Sequence, residues 1–101
     1  MEYKIEDLGA GNFEVRIDGR FTFADNPEFK RILGIISDNS TNKLTLNLNG
    51  LTFIDSAALG MFLIARESAE ENNTEIVIKD INNEVEKMFS ISKFYDLFTI
   101  I

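Results

Sequence analysis

Two polar side chains, Asp55 and Ser56, interrupt an otherwise apolar run at residues 51–67, LTFIDSAALGMFLIARE. A serine hydroxyl can be a nucleophile or a phosphoryl acceptor, and a carboxylate can be a base, a metal ligand or a helix cap. A hydrolase reading fares badly. The chain has no histidine, and Asp55-Ser56-Ala57 lacks the glycines of a nucleophile elbow, so Ser56 has no obvious base. Without histidine or cysteine, only carboxylates remain for a metal. Asp38-Asn39-Ser40-Thr41-Asn42 imitates a calcium loop until Lys43 occupies the position of the turn glycine, so it reads as a polar loop. Asn39-Ser40-Thr41 and Asn72-Asn73-Thr74 match the glycosylation tripeptide, a short pattern that arises by chance. A small-molecule sensor or enzyme built on Asp55 would need a convergent acid, base and oxyanion donor set, and none is visible. What remains is a serine where a strand meets a helix, beside the free amides that make a phosphate comfortable. The plainer reading makes Ser56 an N-cap worth ~1 kcal/mol.

The composition narrows the partners. The chain has 101 residues, 45% hydrophobic and 27% charged, which is enough for one core and one domain, residues 1–101. A net charge of −7 repels nucleic acid and anionic membrane surfaces before contact. Absence of cysteine fits a reducing cytoplasm. MEYKIEDL has no signal-peptide core, and the longest apolar stretch, Ala57 to Ala65, is too short for membrane insertion. No cofactor is implied.

The elements that must position the Asp-Ser step follow from periodicity. Tyr3 and Ile5, then Phe13, Val15 and Ile17, then Leu44, Leu46 and Leu48 alternate with polar residues as strands do; Glu75 to Lys79 is a fourth, less clean strand. Gly9-Ala10-Gly11-Asn12 predicts a hairpin. Asp25-Asn26-Pro27 caps a helix that runs to about Asn39 with Phe29, Ile32, Leu33 and Ile36 inward. A second helix spans Ser56 to about Asn72. A third opens at Asn83 with Glu86 completing a capping box, and the tail from Phe94 to Ile101 docks as a short strand or turn. The order predicts an α/β domain with a mixed, mostly parallel sheet of four to five strands. Alternating strands place the helices mainly on one face, leaving Lys4, Glu6, Glu14, Arg16 and Lys79 on an open polar face, either solvated or a dimer contact.

At about 100° per residue, Ala58, Phe62, Ala65 and Ala69 form the core stripe of the second helix. Gly60, Leu63, Ile64 and Glu67 fall with Ser56 on the opposite side, an apolar patch of the kind that marks a partner surface. The bland alternative tucks Leu63 or Ile64 against a neighbouring helix.

The run from Leu44 to Ile64, with Phe53-Ile54-Asp55-Ser56-Ala57-Ala58-Leu59-Gly60 at its centre, resembles the STAS-domain anti-sigma factor antagonists, and the likeness covers nearly the whole chain. The resemblance implies a STAS fold and a regulatory binding protein, not an enzyme. It implies that Ser56 accepts phosphate from a protein serine kinase that is often also the anti-sigma factor, with Asp55 as the acid beside the acceptor. The unmodified form would hold the anti-sigma factor, and a protein serine phosphatase would restore that form. Family members often carry Ser or Thr then Gly where Ala57 and Ala58 stand, so Ser56 is the only hydroxyl in the motif. They often carry an acid in the loop where Thr22 stands, which draws Thr22 and Asp25 into the expected docking surface. The same resemblance admits a module that is not phosphorylated, in a transporter or sensory complex. Monomer and dimer stay open.

Overall fold

A computed structural model describes residues 1–38 and 40–101. Asn39, the predicted end of the first helix and part of the polar loop and of one glycosylation tripeptide, lies outside the described residues. Among the described residues, six strands and three α-helices follow one another as β1 (Glu2–Gly9), β2 (Asn12–Phe21), α1 (Asn26–Ser37), β3 (Lys43–Asn47), β4 (Leu51–Ile54), α2 (Ser56–Glu71), β5 (Glu75–Lys79), α3 (Asn83–Ile91) and β6 (Thr99–Ile100), with 3-10 turns at Phe23–Asp25 and Phe94–Asp96.

The hairpin predicted at Gly9 to Asn12 joins β1 and β2 as antiparallel neighbours; every other pairing is parallel. Gly9, Ala10 and Gly11 all take positive φ there. The sheet runs β1-β2-β3-β5-β6, so each crossover steps in the same direction, and crossovers of one hand then put all three helices on one face. Val15, Ile17, Leu44, Leu46 and Ile78 point to that face and are buried under the helices. Phe62 of α2 lies at the centre, with ring centroids 5.3 Å from Phe21, 5.9 Å from Phe29, 6.0 Å from Phe89 and 6.4 Å from Phe94. Edge-to-face contacts of this kind add to the burial of each ring.

The predicted sheet of four to five strands has six, because the expected long motif strand is broken in two. Asn47 Oδ1 accepts the Asn49 amide at 3.0 Å, Leu51 N–H donates to Leu48 O at 3.1 Å, and the chain turns before β4 begins. The ten-residue β2 therefore pairs with β3 along its first half and β4 along its second, with a register shift at Gly19 and Arg20. The open face is only partly open. Glu14 and Lys79 form an ion pair at 3.6 Å that arches from β2 to β5 across β3, and Thr45 and Val77 on the same face are buried. Arg20 lies 4.1 Å above the Phe53 ring.

The cap of α3 differs from the expected one by a residue. Asn82, not Asn83, caps α3: its side-chain oxygen accepts from the amides of Glu84 and Val85, and its amide nitrogen donates to the carbonyls of Asn49 and Leu51. Glu86 thus lies one place beyond the position a capping box requires. No helix among the described residues is long and apolar enough to cross a membrane.

Candidate functional site

The Asp-Ser step sits at the carboxyl end of β4, where Asp55 N–H still donates to Phe21 O of β2 at 3.3 Å. Asp55 then leaves the strand with extended backbone and becomes the N-cap of α2. Its Oδ1 accepts the Ala58 amide at 2.8 Å, while Oδ2 accepts the Phe23 amide at 3.1 Å. One carboxylate therefore caps the motif helix and ties it to the 3-10 turn after β2.

Ser56 is consequently the first residue of α2 rather than its cap. The residue is exposed, and its hydroxyl makes no hydrogen bond to any described residue. Ala57 behind it is half-buried, and Ala58 is buried. The core stripe of α2 holds as expected for Ala58, Phe62, Ala65 and Ala69, and Met61 joins it. On the far side Leu63 is 40% and Ile64 53% exposed, with Glu67 also exposed, so neither apolar side chain is tucked away against a neighbouring helix. Gly60 lies on this stripe with nothing within 4 Å of the position a Cβ would take, so no packing demand accounts for a glycine mid-helix.

Thr22 and Asp25 flank the 3-10 turn. Asp25 Oδ2 accepts the Thr22 amide at 2.8 Å, and Oδ1 pairs with the Met1 amino group at 2.8 Å. Burial pushes the Asp25 carboxyl up, but the hydrogen bonds from the amino group and Thr22, with the charge of the amino group, outweigh it and hold the pKa below its ordinary value. Sequence reasoning missed Phe23, which is 72% exposed and held beside the Asp-Ser step by Asp55. The available signal was an aromatic residue in a short turn just ahead of a helix cap, where nothing buries it.

Chemically, the site offers one free hydroxyl, a carboxylate whose two oxygens are both engaged, and exposed apolar groups around them. Among the described residues no cluster of acidic side chains could hold a metal ion. The arrangement suits modification and protein contact.

The STAS domain family matches residues 5–101. The chain belongs to the STAS domain family. A STAS-domain containing protein of Pseudomonas aeruginosa is 33% identical over 86 residues, covering 85% of this chain and 84% of that one. The anti-sigma-B factor antagonist of Staphylococcus aureus is 26% identical over 98 residues, covering 96% and 91%. The anti-sigma factor antagonist SpoIIAA of Bacillus superposes with a TM-score of 0.77 in its unphosphorylated form at 15% identity, covering 99% of this chain and 87% of that one. Its phosphorylated form gives the same TM-score and identity, covering 99% and 91%. The six-stranded, mostly parallel sheet with three helices is thus a STAS fold, and the chain has anti-sigma factor antagonists among its relatives.

Proposed function

We propose that this STAS domain is a cytoplasmic anti-sigma factor antagonist that captures an anti-sigma factor/protein serine kinase when Ser56 is free and releases it when Ser56 is phosphorylated, with a protein serine phosphatase resetting the switch. One observation carries the reading: Ser56 is exposed and its hydroxyl has no hydrogen-bond partner among the described residues, Asp55 capping the helix in its place. The likeness to the antagonists of Staphylococcus and Bacillus supports the class of partner. Asp55, Ser56, Ala57, Gly60, Leu63, Ile64 and Glu67 on the motif side, with Thr22 and Asp25 across the turn, form the proposed docking surface.

The energetics favour a switch in binding over a switch in fold. The first amides of a helix have no intrahelical partner, and Asp55 takes only that of Ala58, so a phosphate on Ser56 has amides and the helix dipole beside it, worth ~0.3–1 kcal/mol. At the contact the balance reverses. A phosphate brings about −1.5 to −2 charges, and one like-charge pair at ~4 Å costs about 4 kcal/mol at an effective dielectric of ~20. A hundredfold loss of affinity needs only about 2.8 kcal/mol, so one partner carboxylate facing Ser56 suffices.

The test pairs the chain with the anti-sigma factor/serine kinase of its own host and ATP. Intact mass should rise by one phosphoryl group in the wild type and not in Ser56→Ala. Calorimetry should give Ser56→Ala wild-type affinity and Ser56→Asp a large loss. Modification of Ser56→Ala, or full capture by Ser56→Asp, would defeat the reading.

A further inference from the structure

Strand β1 ends the sheet with one edge unpaired, and it is exposed along nearly its whole length without a proline to blunt it. Its charges are set against those of β2. Lys4 lies directly opposite Arg16, and Glu6 directly opposite Glu14, an arrangement of like charges that weakens a strand pair. The β2 members find relief elsewhere, Arg16 with Asp18 at 3.1 Å and Glu14 with Lys79 at 3.6 Å. Lys4 and Glu6 have no ion-pair partner among the described residues. On the opposite face of the strand Ile5 is 43% exposed although its neighbours on β2, Val15 and Ile17, are fully buried, so the helices do not cover the edge.

We propose that β1 pairs antiparallel with β1 of a second copy of this chain, with Ile5 on the two-fold axis, forming one continuous sheet through the dimer. An edge pair related by a two-fold axis perpendicular to the sheet keeps each residue on its own face, so the axis must fall on a single residue. Placing it on Lys4 stacks Lys4 on Lys4 and Glu2 on Glu6; placing it on Glu6 stacks Glu6 on itself. Tyr3 on the axis pairs Glu2 with Lys4 but uses only the first residues of the strand. With Ile5 on the axis, Lys4 of each copy faces Glu6 of the other, the two Ile5 side chains cover one another, and pairing runs from Tyr3 to Asp7, up to the bulge. The second copy supplies the opposite charges that β2 denies to β1.

A short edge contact lies at the small end of protein interfaces, so the dimer is weak, with a Kd on the order of 100 µM. Sedimentation velocity over a concentration series at low salt tests it. Lys4→Glu and Glu6→Lys each turn both symmetric ion pairs into repulsions and should weaken self-association about tenfold, while the melting temperature of the monomer holds or rises slightly because each also replaces a like-charge pair with β2 by an opposite one. An equimolar mixture of the two variants should associate again, because each pair across the axis then joins a carboxylate of one variant to an ammonium group of the other. The double charge swap, Lys4→Glu with Glu6→Lys in one chain, should recover a homodimer. A wild type that stays monomeric at roughly ten times the expected Kd overturns the proposal. So does an unaltered dimer in Glu6→Lys, which would move the axis off Ile5, or a mixture of folded variants that fails to pair. None of these outcomes depends on the state of Ser56.

Discussion

Replacing Asp55 by alanine removes two hydrogen bonds at once, and the structure sets the size of the effect. The part-buried cap on Ala58 at 2.8 Å is worth ~1 kcal/mol, and the exposed bond from Phe23 at 3.1 Å contributes about 0.5–1.5 kcal/mol, for a loss of roughly 2 kcal/mol. In a domain of this length each kcal/mol moves Tm by ~4–8 °C, so Asp55→Ala should melt about 10 °C below wild type. Ser56→Ala removes no such bond and should stay within ~0.5 kcal/mol, about 2–4 °C. Asp55→Asn separates the two contributions. Its amide oxygen can still cap Ala58, but its nitrogen is a donor and cannot accept from Phe23 N–H, so its Tm should fall about halfway. Thermal melts by circular dichroism give the three values, and amide exchange at Phe23 should accelerate in both Asp55 variants and not in Ser56→Ala. A Ser56→Ala variant that melts as low as Asp55→Ala, or an Asp55→Ala variant that melts with wild type, would refute the assignment of the cap and with it the freedom of the serine.

Three further outcomes follow from the same geometry. Gly60→Ala meets open space in the middle of α2, so it should raise stability by about 0.5–1 kcal/mol, while its methyl group, standing on the proposed docking stripe, should lower affinity for the anti-sigma factor; chemical denaturation and calorimetry measure the two separately. Gly11→Ala should cost more than Gly9→Ala by about 1–3 kcal/mol, because both have positive φ but only the Cβ at residue 11 lands 2.5 Å from the Ser40 carbonyl and 2.7 Å from Asn42 Nδ2, as urea midpoints would report. Asp25 gives a pH dependence of known sign. Its folded pKa is lowered from 3.8, so its stabilisation is complete above the unfolded value and is lost as pH falls through the folded one. The stability gap between wild type and Asp25→Asn should be level near neutrality and close in acid below that value, measured as urea midpoints across the range.

Most elements were legible because their periodicity is set by burial. Phe29, Ile32 and Ile36 face the core at helical spacing, and the alternation of Phe13, Val15 and Ile17 marks the covered side of β2. The exposed stripe of α2 was legible for the same reason, since four small or aromatic residues on one side leave Leu63 and Ile64 no route to the core. Three features were not legible because they depend on partners distant in sequence. The break after Asn47 is turned by local bonds but held by Asn82, which donates to the carbonyls of Asn49 and Leu51 from across the fold. The choice of Asp55 over Ser56 as cap depends on Phe23, whose amide takes the second carboxylate oxygen; either side chain alone has the chemistry of a cap. The burial of Thr45 and Val77 on the nominally open face accompanies an ion pair between β2 and β5, a contact that strand order must create before local pattern can reflect it.

The division of labour between Asp55 and Ser56 bears directly on how the proposed switch can operate. If the serine capped the helix, phosphorylation would remove a stabilising bond and alter fold and surface together. With Asp55 holding both Ala58 and Phe23, the helix start and the turn keep their anchors while the neighbouring hydroxyl changes its charge. Added to a chain of net charge −7 and screened within ~8 Å in physiological salt, that charge has little reach across the molecule. Its effect is confined to whatever touches Ser56, and the exposed Phe23, Leu63 and Ile64 supply the apolar contact that such a charge would spoil. Phosphorylation of Ser56 should therefore leave the melting temperature level or slightly raised, which scanning calorimetry of the phosphorylated and unmodified forms would register.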